Sequence, residues 1–244
     1  MTTRIYQTTL LNPNSLIQLD EQASHHLARV LRASVKDPVV IFNGQGGEYS
    51  GTIARIDKRH VTVELKEHIV REVESSLDIW LAQGISRGEK MDYTIQKAIE
   101  LGVNKIIPLF TERCNVKLDR ERSEKRHQHW QSIAISACEQ SGRNRVPEVV
   151  LPEMIDTWLS SHVQADYCFA LSPSAVHTLR KQAVPHHARI VLLIGPEGGL
   201  SSREIENTAR QGFLPLNLGP RILRTETAAI AAITALQCCF GDMA

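Results

Sequence analysis

The chain lacks any strong excess of charge. Its 28 Lys and Arg stand against 27 Asp and Glu, leaving +1, so no global field marks a polyanionic partner and a nucleic-acid surface would have to be a local patch. Cysteine is scarce and unpatterned. Cys114, Cys138, Cys168, Cys238 and Cys239 form no C-x-x-C and show no metal-ligand spacing. They read as reduced, mostly buried thiols of a cytoplasmic protein, and no metal is expected. No apolar run reaches the roughly 18 residues a membrane span needs; the Ala- and Ile-rich stretch Ala228–Leu236 is too short, and Thr234 interrupts it. The start, MTTRIYQTTL, lacks the apolar centre of a signal peptide, so no membrane or export role is expected. Neither G-x-x-x-x-G-K-[ST] nor G-x-G-x-x-G occurs. No Ser/His/Asp or Cys/His arrangement stands out, the pair His186-His187 has no partner at ligand spacing, and no internal repeat is visible. What remains is a globular composition, 42% hydrophobic and 23% charged.

The most informative stretch runs from Ile190 to Ala235. An apolar strand, Ile190–Ile194, enters Gly195-Pro196-Glu197-Gly198-Gly199, and a helix starts at Ser201 with Glu204 three residues on, a capping box. A second strand-like run, Leu214–Leu218, ends in Gly219-Pro220-Arg221-Ile222-Leu223-Arg224, and another helix starts near Thr225. Two Gly-rich loops therefore sit at the carboxyl ends of strands, where open α/β sheets bind small ligands. Glycines there let main-chain groups touch a ligand. Loops carrying Pro196, Glu197 and Leu200 suit a flat, partly apolar ligand better than a row of phosphates. The plainer alternative, taken singly, is that each loop is an ordinary turn.

The first 70 residues have a different pattern. A helix is predicted over Glu21–Arg32, capped by Asp20. Short β-rich runs follow at Val39–Phe42, Glu48–Ile56 and His60–Leu65, suggesting a small β-barrel. The charged stretch Lys66–Ser76 reads as a linker. From Leu77 strands and helices alternate: strands Leu77–Gln83, Lys105–Phe110 and Tyr167–Leu171, helices Lys90–Leu101, Glu121–Gln140 and Ser174–Ala183, and a further helix carrying Trp158. That alternation predicts an α/β domain with a mostly parallel sheet. The division falls after residue 72, giving domains 1–72 and 73–244. The last helix, Thr225–Phe240, is apolar nearly all round, which points to burial on every side and to a homodimer.

Charged residues gather at three places. Arg221, Arg224 and Glu226 crowd the second loop, and Glu197 sits in the first. The arginines could stabilise developing charge and a Glu could act as base or orienter, although Glu226 would also simply favour a helix N-terminus. In the N-terminal helix, His25, Arg29 and Arg32 share a face and His26 lies close to Arg29, a set suited to phosphate or merely solvated. Between Arg113 and Arg145 there are eight Lys and Arg against four acids, about +4 locally.

LLIGPEGGLSSREIE together with LNLGPRILRTETAA resembles the cofactor loops of the SPOUT methyltransferases, and more closely those of the 16S ribosomal RNA uridine-N3 methyltransferases. HHLARVLR, GISRGEKMDYTIQKAIELGVNKIIPLFTERC and HWQSIAISACEQSGRNRVPEV extend the likeness over nearly the whole chain. The resemblance implies a SPOUT-type parallel sheet with a C-terminal deep trefoil knot and a PUA-like N-terminal barrel. It implies S-adenosyl-L-methionine as cofactor, 16S ribosomal RNA in the small subunit as partner, and a dimer. Cofactor contacts are then expected from Leu171, Ser172, Ile194, Gly195, Gly198, Gly199, Leu218, Gly219, Ile222, Leu223 and Thr227. Arg224 is expected to stabilise the anion formed when uridine N3 loses its proton, with Glu226 or Glu197 as base. RNA contacts are expected from Arg4, His26, Arg29, Arg32, Arg87, Lys90, Arg143 and Arg145. The alternatives are methylation of a ribose 2′-hydroxyl within the same superfamily and a non-catalytic ribosome assembly factor that has kept the fold.

Overall fold

The structure, a computed structural model, describes residues 2–116, 119–161 and 163–243. Lys117, one of the eight basic residues counted above, lies outside them. The chain forms two compact units: the residues up to Glu74 with Cys138–Val146, and Ser75–Ala137 with the chain from Pro147 onward.

The first unit is a five-stranded sheet made of β1 (Thr3–Tyr6), β2 (Leu16–Gln18), β3 (Pro38–Phe42), β4 (Glu48–Ile56) and β5 (Val61–Ile69), in the order β1-β3-β4-β5-β2. Apolar side chains alternate along the strands and meet in one core around Ile5, Leu19, Leu27, Ile41, Ile53 and Val63. The expected barrel is not closed by strand pairing. The residues just past its edge strands β1 and β2 are linked instead: Gln7 Nε2 donates to Asp20 Oδ2 at 2.7 Å, and the Asp20 N–H donates back to Gln7 Oε1 at 3.0 Å. Asp20 also caps α1 (Glu21–His25), accepting from the Ala23 N–H at 2.8 Å. The predicted helix then loosens: His26–Val30 is a π-turn, closed by the Leu31 N–H donating to His26 O at 3.0 Å. β5 runs on to Ile69, so the first four residues of the expected linker, Lys66–Ile69, are strand.

The segment Cys138–Val146 was expected with the second domain and belongs to the first unit. Arg143 explains this. Its side chain is 4% exposed and forks onto Glu74, with Nε 3.0 Å from both carboxylate oxygens and Nη2 on Oε2. Arg4 reaches the Glu48 carboxylate and Asn144 Oδ1, and Arg71 Nη1 donates to Gly142 O at 2.7 Å. Tyr6 N–H donates to Glu139 Oε1 at 3.0 Å.

The second unit contains β6 (Asp78–Gly84), α2 (Glu89–Glu100), β7 (Val103–Phe110), α3 (Arg120–Ser141, whose end belongs to the first unit), β8 (Glu148–Val149), β9 (Glu153–Met154), α4 (Ile155–Ser160), β10 (Tyr167–Leu171), β11 (His177–Thr178), β12 (Arg189–Ile194), α5 (Ser202–Arg210), β13 (Leu214–Asn217) and α6 (Thr225–Phe240). Its sheet has the order β11-β13-β10-β12-β6-β7-β8, and its strand pairs are parallel. β12 and β6 lie at the centre and read as continuous apolar runs, because both faces of a parallel sheet are covered. α2 buries Met91, Thr94, Ile95, Ala98 and Ile99, the stripe that a 3.6-residue period produces. On one side of the sheet Trp158, Leu159, Leu193, Leu200 and Phe213 form the core.

Two expectations fail here. Ser174–Ala183 is not a helix but the short strand β11 followed by a 3-10 turn at Leu179–Lys181, because pairing of β11 with β13 supersedes its helical pattern. The cysteines are free, yet only Cys138 is fully buried, and Cys238 and Cys239 are exposed. Burial pushes the Cys138 thiol up to about 12.

Candidate active site

β10, β12 and β13 are neighbours, and their carboxyl ends feed three loops that enclose a cavity of about 740 Å³. Leu171, Ser172, Ile194, Gly195, Gly198, Gly199, Leu218, Gly219, Ile222 and Leu223 line it, as do Glu197, Lys90 and Arg224. Residues some 50 positions apart converge because parallel strands return each loop to the same end of the sheet.

Glycine serves two different purposes in the first loop. A Cβ on Gly195 would stand 2.9 Å from Gly199 C and Leu200 N, so Gly195 lets the loop fold onto itself rather than onto a ligand. Gly199 has φ +67° and open space where a Cβ would be, and its N–H donates to Pro196 O at 2.8 Å. It is a tight turn whose bare backbone faces free volume. The capping box predicted from Ser201 and Glu204 is present, and Glu204 is fully buried. Glu204 Oε1 also accepts the Glu112 N–H at 2.8 Å, which pins the loop after β7 to the start of α5.

Glu197 is held as an anion. Burial alone would raise its pKa, but its own and Arg87's backbone N–H groups and the Lys90 ammonium outweigh this and hold it below the usual carboxylate range. The Arg87 N–H is 3.1 Å and Lys90 Nζ 3.4 Å from Oε1. A carboxylate so stabilised is a weak base, and it fits better as a loop anchor. Glu226, the other expected base, does not line the cavity; its Oε2 is buried with no hydrogen-bond partner among the described residues. Thr227 is exposed on α6 and also lies outside the lining. Arg221 and Arg224 do line it, both exposed and without an ion pair among the described residues.

Arg113, Ile205, Thr208 and Phe213 are among the lining residues that sequence reasoning missed, and Thr225, within the expected second loop, was not singled out. Arg113 Nη1 donates to Gly198 O at 3.1 Å. Nothing in the sequence around Thr225 distinguishes it from an ordinary first helical residue.

The expected RNA contacts divide. His26, Arg29 and Arg32 are exposed on the π-turn and just after it. Arg145 is exposed but paired with Glu72 at 3.0 Å. Arg4 and Arg143 are mostly buried, with side chains 12% and 4% exposed, and both are engaged by buried carboxylates within the first unit. Sequence alone cannot separate a buried guanidinium from an exposed one. Among the described residues no group of three His, Cys, Asp or Glu is placed to hold a metal, and no helix is long and apolar enough to cross a membrane.

A loop-lined cavity at the carboxyl ends of a parallel sheet, edged by two arginines that make no ion pair among the described residues, is where an open α/β sheet binds a small ligand. The RNA methyltransferase domain family matches residues 73–237, and the RNA methyltransferase PUA domain family matches residues 19–66. The ribosomal RNA small subunit methyltransferase E of Buchnera aphidicola (subsp. Schizaphis graminum) is 43% identical over 98% of this chain and 97% of its own length. That of Bacillus subtilis is 31% identical, covering 87% and 86%. The chain belongs to the ribosomal RNA small subunit methyltransferase E family. Two solved structures are similar to it over 100% of both chains. One is a methyltransferase of Legionella pneumophila in complex with the bound cofactor SAM (TM-score 0.96, 43% identity); the other is the family member of Neisseria gonorrhoeae bound to S-adenosyl methionine (TM-score 0.93, 36% identity).

Proposed function

We propose that this protein methylates N3 of a uridine in 16S ribosomal RNA, using S-adenosylmethionine. The observation that carries the reading is the cavity itself: apolar walls, main-chain groups from three loops, and two arginines at one site that make no ion pair among the described residues. The lining fits the cofactor. Ile194, Leu218 and Leu223 offer an apolar bed for a flat adenine, Glu197 supplies a negative charge toward a sulfonium, and no phosphate-binding pattern is present or needed. When bound, the cofactor supplies an electrophilic methyl group.

The protein's own residues must prepare the base. Uridine N3 carries a proton and is a poor nucleophile until that proton passes to solvent, neither Glu197 nor Glu226 being placed to take it; the charge then spreads onto O2 and O4. Arg224 stabilises that charge as a donor aimed at where negative charge develops. Arg221 is available to hold the flanking backbone. N3 is a pairing edge, so the base must enter unpaired or flipped. The first unit binds RNA through His26, Arg29 and Arg32, while the second holds cofactor and reacting base. Such an enzyme meets its substrate in the cytoplasm.

Two further features belong to the same reading. The segment after β13 is threaded as a trefoil knot; in support, the chain leaves β13 on one flank of β10 and begins α6 against the β12 loop, where Thr225 bonds Gly195. The protein is a homodimer through α6. That helix buries Ala229, Ala232, Ile233 and Leu236 against its own unit but leaves Thr227, Cys238 and Cys239 exposed and Ile230, Ala231 and Ala235 half-exposed. Sedimentation should give a dimer; a fully active monomer would remove this part. The reaction itself is tested by incubating small subunits or their RNA with enzyme and cofactor, digesting to nucleosides and weighing them. The expected product is a methylated uracil base. Methyl on ribose, or none despite cofactor binding, would overturn the assignment.

A further inference from the structure

The two Gly-rich loops are 20 residues or more apart in sequence, yet a buried hydrogen-bond chain joins them. Gln83, at the carboxyl end of β6, is fully buried; its Nε2 donates to Thr225 Oγ1 at 2.9 Å and to Gly84 O at 2.9 Å. Thr225 is 6% exposed and lines the cavity; its Oγ1 donates to Gly195 O at 2.7 Å. The hydroxyl has one proton to give and accepts the amide's, so the direction is fixed: Gln83 to Thr225 to Gly195. The chain thus runs from the central strand through the first residue of α6 to the carbonyl that opens the first loop.

We propose that Thr225, oriented by Gln83, is a positioning residue that locks the two cofactor loops into one preorganised site. This rests on the cofactor reading above. The backbone of the first loop is already tight, since Gly195 packs on Gly199 and Leu200, and the Gly199 N–H closes on Pro196 O. That turn is rigid in itself, but nothing within it fixes where Leu218–Arg224 stands against it. The Thr225 hydroxyl does. It lies at the end of the second loop, one residue after Arg224, so it also fixes where the Arg224 guanidinium is rooted. Gln83 Oε1 is buried without a partner among the described residues, a cost the fold accepts in order to aim Nε2 at Thr225. Preorganisation of this kind lowers what is lost on binding, because loops ordered in advance need not be ordered by the ligand.

The test uses the full chain. Thr225→Val keeps the shape of the side chain and removes the hydroxyl; Thr225→Ser restores it; Gln83→Met removes the orienting donor. Hydrogen exchange in the cofactor-free protein reads the lock directly. In Thr225→Val, amides of Leu218–Arg224 should exchange at least tenfold faster, while β12 and β6 keep their protection. Calorimetry with S-adenosylmethionine should show affinity at least about tenfold weaker for Thr225→Val, within about twofold of wild type for Thr225→Ser, and intermediate for Gln83→Met. Unchanged exchange and affinity in Thr225→Val overturn the inference while leaving the cofactor reading intact. Failure of the wild type to bind the cofactor overturns both. If Thr225→Val does not fold, Gln83→Met decides: wild-type loop exchange and affinity in that variant overturn the lock.

Discussion

Arg143 offers a sharp test of how far basic residues can be read as RNA contacts. Sequence places it in a polar, arginine-bearing loop; the structure buries it against Glu74, whose side chain is 9% exposed. Removing one partner of a buried, forked ion pair leaves the other charge without compensation and costs about 3–5 kcal/mol. With a urea dependence of about 2 kcal/mol per molar, Arg143→Ala should lower the unfolding midpoint by roughly 1.5–2.5 M, measured by circular dichroism. The pair Arg143→Met with Glu74→Met, which removes both charges and keeps the volume, should recover most of that loss. RNA affinity of the folded variant should keep its salt slope. Arg29→Ala with Arg32→Ala should do the opposite: stability near wild type and a slope reduced by up to about two units, one for each lost phosphate contact. A destabilisation below about 1 kcal/mol combined with a slope reduced by about one would show that Arg143 meets phosphate, and the buried-pair argument would fail.

Other outcomes follow from the same geometry. Arg224→Ala should lower turnover by about 10²–10³ with cofactor affinity largely kept; a loss under about fivefold would make Arg224 structural. Gly199→Val fills the open space beside a left-handed backbone, so calorimetry should show cofactor affinity lowered by about tenfold or more, beyond a strain of about 1–2 kcal/mol that thermal melting would register. Glu139 is raised above its ordinary value of 4.5, chiefly by burial, with the Tyr6 N–H acting in the other direction. A raised carboxyl favours the folded state while protonated, and that contribution is lost as pH rises from 4.5 through the raised folded value. Glu139→Gln keeps an acceptor for the Tyr6 N–H and should not lose stability over that window; parallel pH–stability curves for variant and wild type would refute the assignment.

Much of the molecule was legible in its sequence because the signals were local or periodic. The apolar run of β12, the capping box at Ser201 and Glu204, and the glycines after β12 and β13 each follow from chemistry within a few residues, and together they mark where the cavity lies. The long motifs added the cofactor and the reaction class. What depends on distant residues could be settled only by tertiary structure. Whether an arginine is free or buried turns on a partner such as Glu74, 69 positions from Arg143. Whether Glu197 can serve as a base turns on Arg87 and Lys90, more than 100 residues earlier. Ser174–Ala183 has a helical pattern but gives a two-residue strand and a 3-10 turn, because β13 offers its edge to His177 and Thr178. Thr225 is unremarkable in sequence and lies at the centre of the site because Gln83 and Gly195 meet it there. Local sequence fixes which conformations each segment prefers; burial and charge pairing between segments decide which side chains remain available for chemistry.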